Sequence, residues 1–171
     1  NYKATVRNLG ACGLRRLCYN FMPVIDWTRT DLEFEWADGS RALAFDRLEF
    51  AAFELHLLCR PGAAAGYDAA TRADAAALFG KMDAAARKRL EQTVIAGLPG
   101  RMVEAYSLEQ FQAALDLYQH VDATALRANL CHFLREVVPV AEQAGVYMAI
   151  HPDDPPMSLL GLPRVVSTEA D

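Results

Sequence analysis

Cysteine is scarce in this 171-residue sequence. Cys12, Cys18, Cys59 and Cys131 are scattered, with no CxxC pair among them. That argues against a disulfide framework or a cysteine-rich zinc module, and free, mostly buried thiols are the expectation. No apolar run approaches the roughly 20 residues needed to span a bilayer, and no secretory leader is recognisable. The expected setting is therefore soluble and cytoplasmic, with no membrane partner. Basic residues number 17 against 22 acidic ones, for a net charge of −5, and form no block. That argues against a nucleic-acid partner, because phosphate-backbone binding needs a basic surface. The patterns GxGxxG, Walker A, GxSxG and HExxH are missing, so nucleotide cofactors and serine-hydrolase chemistry have no support.

What is present fits a folded domain. Hydrophobic residues make up 53% and charged residues 23%, outside the range of disordered or low-complexity chains. Both ends read as cut. Helical spacing already runs from Tyr2, and Ser167-Thr168-Glu169-Ala170-Asp171 reads as a cap followed by the first acidic turn of a helix. The expectation is that residues 1–171 are an internal piece of one larger domain.

Tyr2, Val6, Leu9 and Cys12 keep helical spacing, Gly13 sits where a left-handed cap is wanted, and Leu14–Asn20 reads as a strand. A hairpin-like excursion over about 21–45 follows. In it Leu32–Trp36 alternates apolar with acidic residues, Asp38-Gly39 makes the turn and Ala42–Phe45 returns. Asp46 with Glu49 reads as a capping box for a helix through Phe50, Phe53, Leu57 and Leu58 to Pro61-Gly62. Further helices are expected from about Ala69 to Gly80, from Asp83 to Gly97, from Ser107 with Gln110, and from Ala123 to Gly145 with a kink at Pro139. Val146–Ile150 is the second convincing strand. Two strands cannot make a sheet core alone, so the pattern is α/β with the rest of the sheet elsewhere and a helical insertion over about 61–122.

The strongest chemical signal is His151-Pro152-Asp153-Asp154-Pro155-Pro156. It places imidazole and carboxylates at the carboxyl end of a buried strand, where α/β sheets and barrels hold ligands and metals. A rigid turn with a hydrogen-bonded His and solvated acids fits the same spacing. A second cluster joins Asn20 to Asp26-Trp27-Thr28-Arg29-Thr30-Asp31. Arg29 offers a fork for a carboxylate, Trp27 a flat apolar wall and Asn20 two-way hydrogen bonding. An ordinary loop with an Arg–Asp pair is the plainer alternative. His56 and Cys59 share a helix dense with Phe and Leu and read as packing; Cys131 and His132 point apart. His120 reads as a partner of a helix dipole.

Several blocks resemble a known family: Cys18–Val24, Asp26–Asp31, Ile95-Ala96-Gly97-Leu98-Pro99-Gly100, the His151–Pro156 run, and Leu160-Gly161-Leu162-Pro163-Arg164. Their order and spacing resemble the D-mannonate dehydratase family along nearly the whole chain. The resemblance implies a (β/α)8 TIM barrel of the xylose isomerase-like group, of which the two strands here would be the third and fourth. It also implies Mn²⁺ or Fe²⁺, and conversion of D-mannonate to 2-dehydro-3-deoxy-D-gluconate with loss of water. His151 would be a metal ligand. The remaining ligands, a Cys with further His and Asp residues, and the proton-transfer residues would lie beyond residue 171, and none of the four cysteines here is the missing thiolate. Asn20 and Arg29 are candidate substrate contacts and Trp27 a pocket wall, assigned from position and chemical type. The piece alone is expected to be inactive. A sugar isomerase or epimerase on the same barrel is the alternative activity. A non-catalytic helical interaction segment, with the insertion as a homo-oligomer contact, is the alternative from another class.

Overall fold

A computed structural model describes residues 1–96 and 107–171. In chain order they form α1 (Tyr2–Ala11), β1 (Arg16–Tyr19), β2 (Asp31–Glu35), β3 (Arg41–Ala44), α2 (Arg47–Ala52), α3 (Ala69–Lys81), α4 (Ala84–Ile95), α5 (Leu108–Asp116), α6 (Ala123–Ala144) and β4 (Tyr147–Ile150). The protein is α/β, as expected. Gly97–Gly100 of the quoted blocks, and the helix end expected at Gly97, lie outside the described residues. The chain divides into two compact units, Asn1–Met22 with Val121–Met157 and Pro163–Asp171, and Pro23–His120 with Ser158–Leu162.

In the first unit β1 pairs parallel with β4, Arg16 opposite Tyr147 and Tyr19 opposite Ile150. Gly13, at φ +79°, ends α1 and turns the chain into β1, and its N–H donates to the Gly10 carbonyl. Val6, Val137, Val140, Ala141 and Val146 form the core beneath the pair, with Leu17 and Met148 resting on it. Tyr2, Tyr19 and Phe21 gather around Phe133, at 5.1, 5.7 and 5.7 Å between ring centres. Burying each such aliphatic side chain contributes about 1.5–3 kcal/mol. Among the described residues, only this face of the pair is covered. On the other, Cys18 and Ala149 are exposed and Tyr147 is 76% exposed, although parallel strands ordinarily have both faces buried.

α6 includes Pro139 within its helical span and ends at Gly145 in the left-handed region. Ser167 starts no helix. The Asp171 carboxylate instead accepts from the N–H groups of Ser167 and Thr168, at 3.0 and 2.9 Å, and from Arg127 Nη2 at 2.5 Å.

The second unit begins with the β2–β3 hairpin, closed around Asp38-Gly39 with Gly39 at φ +81°. Asp46 caps α2 by accepting from the N–H groups of Leu48 and Glu49, each at 2.8 Å. The expected reciprocal box does not form, because the Asp46 N–H donates to Thr30 Oγ1 at 2.9 Å. Past Ala52 the helix widens into a π-helical turn, Phe53–Leu57, and ends at Cys59 (φ +51°) before Pro61 is reached. Phe45, Phe50, Phe53 and Phe111 stack in series at 5.3, 6.2 and 6.4 Å. Ala51, Ala52 and Ala75 let α2 and α3 pack closely. Asp68, Asp83 and Ser107 cap α3, α4 and α5, the last with a complete capping box.

All four cysteines are free, but they are exposed, which corrects the expectation of buried thiols. Cys18 lies on the uncovered sheet face, Cys59 in a left-handed turn, Cys12 at the end of α1 and Cys131 on the outer side of α6. His56 stacks on Phe79 at 5.2 Å, the packing role read for it, while Cys59 points to solvent.

Candidate functional site

Strand alternation makes 16, 18 and 20 one set on β1 and its extension, and 147, 149 and 151 the matching set on β4. The register pairs Cys18 with Ala149, and one step of alternation further sets Asn20 opposite His151. The ladder itself continues there, since the His151 N–H donates to the Tyr19 carbonyl at 2.8 Å. Both residues are exposed at the carboxyl ends of the parallel strands. This pairing brings together two of the four residues singled out by sequence.

The His151 ring is held in one orientation. Its Nδ1 lies 2.6 Å from the Pro152 carbonyl oxygen. A carbonyl only accepts, so Nδ1 carries the proton, and in the neutral ring the lone pair is on Nε2. Metal-bound imidazoles commonly show this pattern, one ring nitrogen on the ion and the other N–H on a carbonyl or carboxylate. His151 thus fits one position of a divalent-metal shell. Among the described residues, no group of three His, Cys, Asp or Glu side chains converges to complete such a shell.

The acids after His151 are not both solvated. Asp153 is 4% exposed and Arg164 8%, with Arg164 Nη1 3.7 Å from Asp153 Oδ1. Asp153 Oδ2 accepts from the Val166 N–H at 2.7 Å and from Ser167 Oγ at 2.8 Å. The Asp153 N–H in turn donates to the Val166 carbonyl at 2.9 Å. Sequence reading missed this arrangement. The available signal was Arg164 itself, a charge within the apolar run Leu159–Val166 that needs an acid once buried.

Trp27 and Arg29 belong to the second unit, where they meet each other. The Arg29 guanidinium carbon stands 5.8 Å from the Trp27 ring centre, and Arg29 Nη1 donates to the Thr28 carbonyl at 2.8 Å. Both are half-buried, and Thr28 between them is fully buried. The same unit holds a cleft of ≈ 440 Å³ lined by Thr30, Asp31, Glu49, Arg89, Leu90 and Thr93. Burial, more than the neighbouring acids, pushes the Glu49 carboxyl up from its ordinary range. The unit also contains a buried polar knot: Glu54, 3% exposed, accepts from Arg60 Nε at 2.6 Å and from the Tyr67 hydroxyl. Burial first, and then Glu54, push the Tyr67 phenol up.

The comparisons with known proteins agree with one another. The D-mannonate dehydratase (UxuA) family model matches residues 1–171. Mannonate dehydratase of Chromohalobacter salexigens is 58% identical over 170 residues, covering 99% of this chain and 43% of that protein. Mannonate dehydratase of a Marinomonas species is 53% identical over 171 residues, covering 100% of this chain and 44% of that protein. The crystal structure of mannonate dehydratase from Streptococcus suis serotype 2 superposes with a TM-score of 0.59 at 34% identity, over 99% of this chain and 34% of that one. The chain spans less than half the length of the curated relatives it matches.

Proposed function

Because the chain belongs to the D-mannonate dehydratase family, we propose that it is part of a hydro-lyase that converts D-mannonate to 2-dehydro-3-deoxy-D-gluconate. In this reading β1 and β4 are neighbouring strands of a (β/α)8 barrel. Their uncovered face looks toward the barrel axis, and the remaining strands cover the edges of the pair. The carboxyl ends of barrel strands carry the chemistry, and His151 stands at one of them. The enzyme is cytoplasmic and assembles as a homo-oligomer.

The reaction removes a proton from the carbon beside a carboxylate and expels a hydroxyl group as water. The carbon acid is weak, so the developing negative charge needs stabilisation and the leaving hydroxyl needs a proton. A divalent cation, Mn²⁺ or Fe²⁺, supplies that charge stabilisation when bound. His151 contributes one ligand through Nε2, with its tautomer held by the Pro152 carbonyl. Asn20, beside it at the strand end, hydrogen-bonds a substrate hydroxyl. Arg29 and Trp27, in the other unit, are proposed as substrate contacts from chemical type alone, a planar fork for a carboxylate and an apolar wall or lid. The groups that move protons are outside this chain.

The observation that carries the reading is the held imidazole at the end of a parallel strand, in a chain that the family matches from end to end. The test is 2-keto-acid formation from D-mannonate by the full-length protein with Mn²⁺ or Fe²⁺. His151→Ala is expected to lower activity by at least a hundredfold and to weaken metal binding. An isomerised sugar acid released without loss of water would overturn dehydration in favour of isomerase or epimerase chemistry. Unchanged metal affinity in His151→Ala would overturn the ligand role.

A further inference from the structure

The Pro152–Asp153 peptide group is gripped from both sides. Its carbonyl accepts the His151 Nδ1–H at 2.6 Å, and its N–H donates to the Val166 carbonyl at 2.9 Å. Resonance makes the group planar, so fixing the N–H direction also fixes where the carbonyl points. Val166 is held in turn, because its own N–H donates to Asp153 Oδ2 at 2.7 Å. Residues 153 and 166 are thus joined by a reciprocal pair of hydrogen bonds, with Ser167 Oγ adding a third at 2.8 Å. Arg164 Nη1 lies 3.7 Å from the other carboxylate oxygen, and both side chains are buried.

We propose that Asp153 is a positioning residue: its carboxylate locks the 153–166 pairing, which aims the Pro152 carbonyl at His151 and so keeps the ring in the tautomer with Nε2 free. The inference rests on His151 being a metal ligand and adds what holds it ready. It separates two roles of one side chain. The charge of Asp153 balances buried Arg164, whereas its acceptor oxygen on Val166 governs the imidazole. Asn retains an acceptor for the Val166 N–H but no charge; Ala retains neither.

The experiment uses the full-length protein and reads stability, Mn²⁺ affinity and the His151 tautomer from ring ¹⁵N shifts of the metal-free form. Asp153→Asn is expected to melt earlier, because it removes the carboxylate charge beside buried Arg164, while keeping the Nδ1–H tautomer and metal affinity within about threefold of the parent. Asp153→Ala is expected to mix the tautomers and weaken Mn²⁺ binding by about 10–100-fold, the effect typical of losing an outer-shell partner. Asp153→Ala combined with Arg164→Met removes both buried charges and guards against simple misfolding. Its stability should recover toward that of the parent while the tautomer and affinity stay defective.

Affinity that follows melting temperature across the three variants would overturn the proposal and leave Asp153 with a stability role alone. So would a single Nδ1–H tautomer in Asp153→Ala. If His151→Ala also binds Mn²⁺ normally, the ligand assignment fails as well. If His151→Ala loses binding while the Asp153 variants do not, only the positioning role fails.

Discussion

Gly10 tests the packing on which the first unit depends. Gly→Ala in an open helical position stabilises by about 0.5–1 kcal/mol, because the unfolded chain has less freedom to lose. At Gly10 an added methyl carbon would stand 2.5 Å from the Ala144 carbonyl oxygen and 2.9 Å from the Ala144 Cβ. Ordinary carbon contacts sit at about 3.5–4.0 Å, so α1 would have to retreat from α6 by roughly 1 Å. Neither neighbour can swing aside, since one is backbone and the other a fixed Cβ. Overpacking of this kind costs about 1–3 kcal/mol, which leaves a net destabilisation of about 0–2.5 kcal/mol after the helix gain. Gly80, in the last turn of α3, has open space where its Cβ would go, so Gly80→Ala is the matched control and is expected to stabilise. Urea unfolding of the two variants beside the parent gives both signs. A Gly10→Ala protein stabilised as much as Gly80→Ala would refute the close α1–α6 approach.

Three further outcomes follow from the polar groups. Glu54→Gln leaves Arg60 in a site where its side chain is only 17% exposed, and a loss of about 3 kcal/mol is expected from urea unfolding; a change under half a kcal/mol would mean that water already screens the pair. The N–H groups of Ser167 and Thr168, and then Arg127, hold the Asp171 carboxyl at about 2. A lowered acid stabilises the fold above its ordinary range, and that contribution is lost as pH falls toward 2. Carboxyl-carbon titration should place Asp171 at about 2, with Arg127→Ala recovering part of the shift. Glu49 works in the opposite sense. Burial raises its carboxyl, so the fold binds that proton more tightly than the unfolded chain, and stability falls as pH rises through the titration. Glu49→Gln should therefore stabilise the protein at neutral pH and lose that advantage in acid; equal effects at both pH values would contradict the burial.

What could be read from the sequence was whatever has a local cause. Asp68, Asp83, Ser107 and Asp122 announce their helices because a cap acts on N–H groups two or three residues away. His151 could be placed because alternation within one strand and its position before Pro152 set its location without reference to the rest of the chain. The π-helical turn at Phe53–Leu57 could not be read, since no local pattern marks the extra residue per turn, and Glu54 within it is held by Arg60 and Tyr67 from outside the helix. The cysteine expectation failed for a related reason. Free Cys is buried when a surface covers it, and the surface over Cys18 is not supplied by the residues described. The Glu49 box failed because Thr30, distant in sequence, took the Asp46 N–H first.

The His151 region shows both kinds of cause in one place. The imidazole and the prolines are legible as local chemistry, yet what gives that imidazole a fixed tautomer runs through Val166, Ser167 and Arg164, segments that reach it only by folding. A sequence pattern can nominate a ligand. Whether the ligand is held ready depends on partners that strand spacing alone does not reveal, which is why Asp153, whose spacing fits a ligand site and a solvated turn alike, is the more informative residue to change.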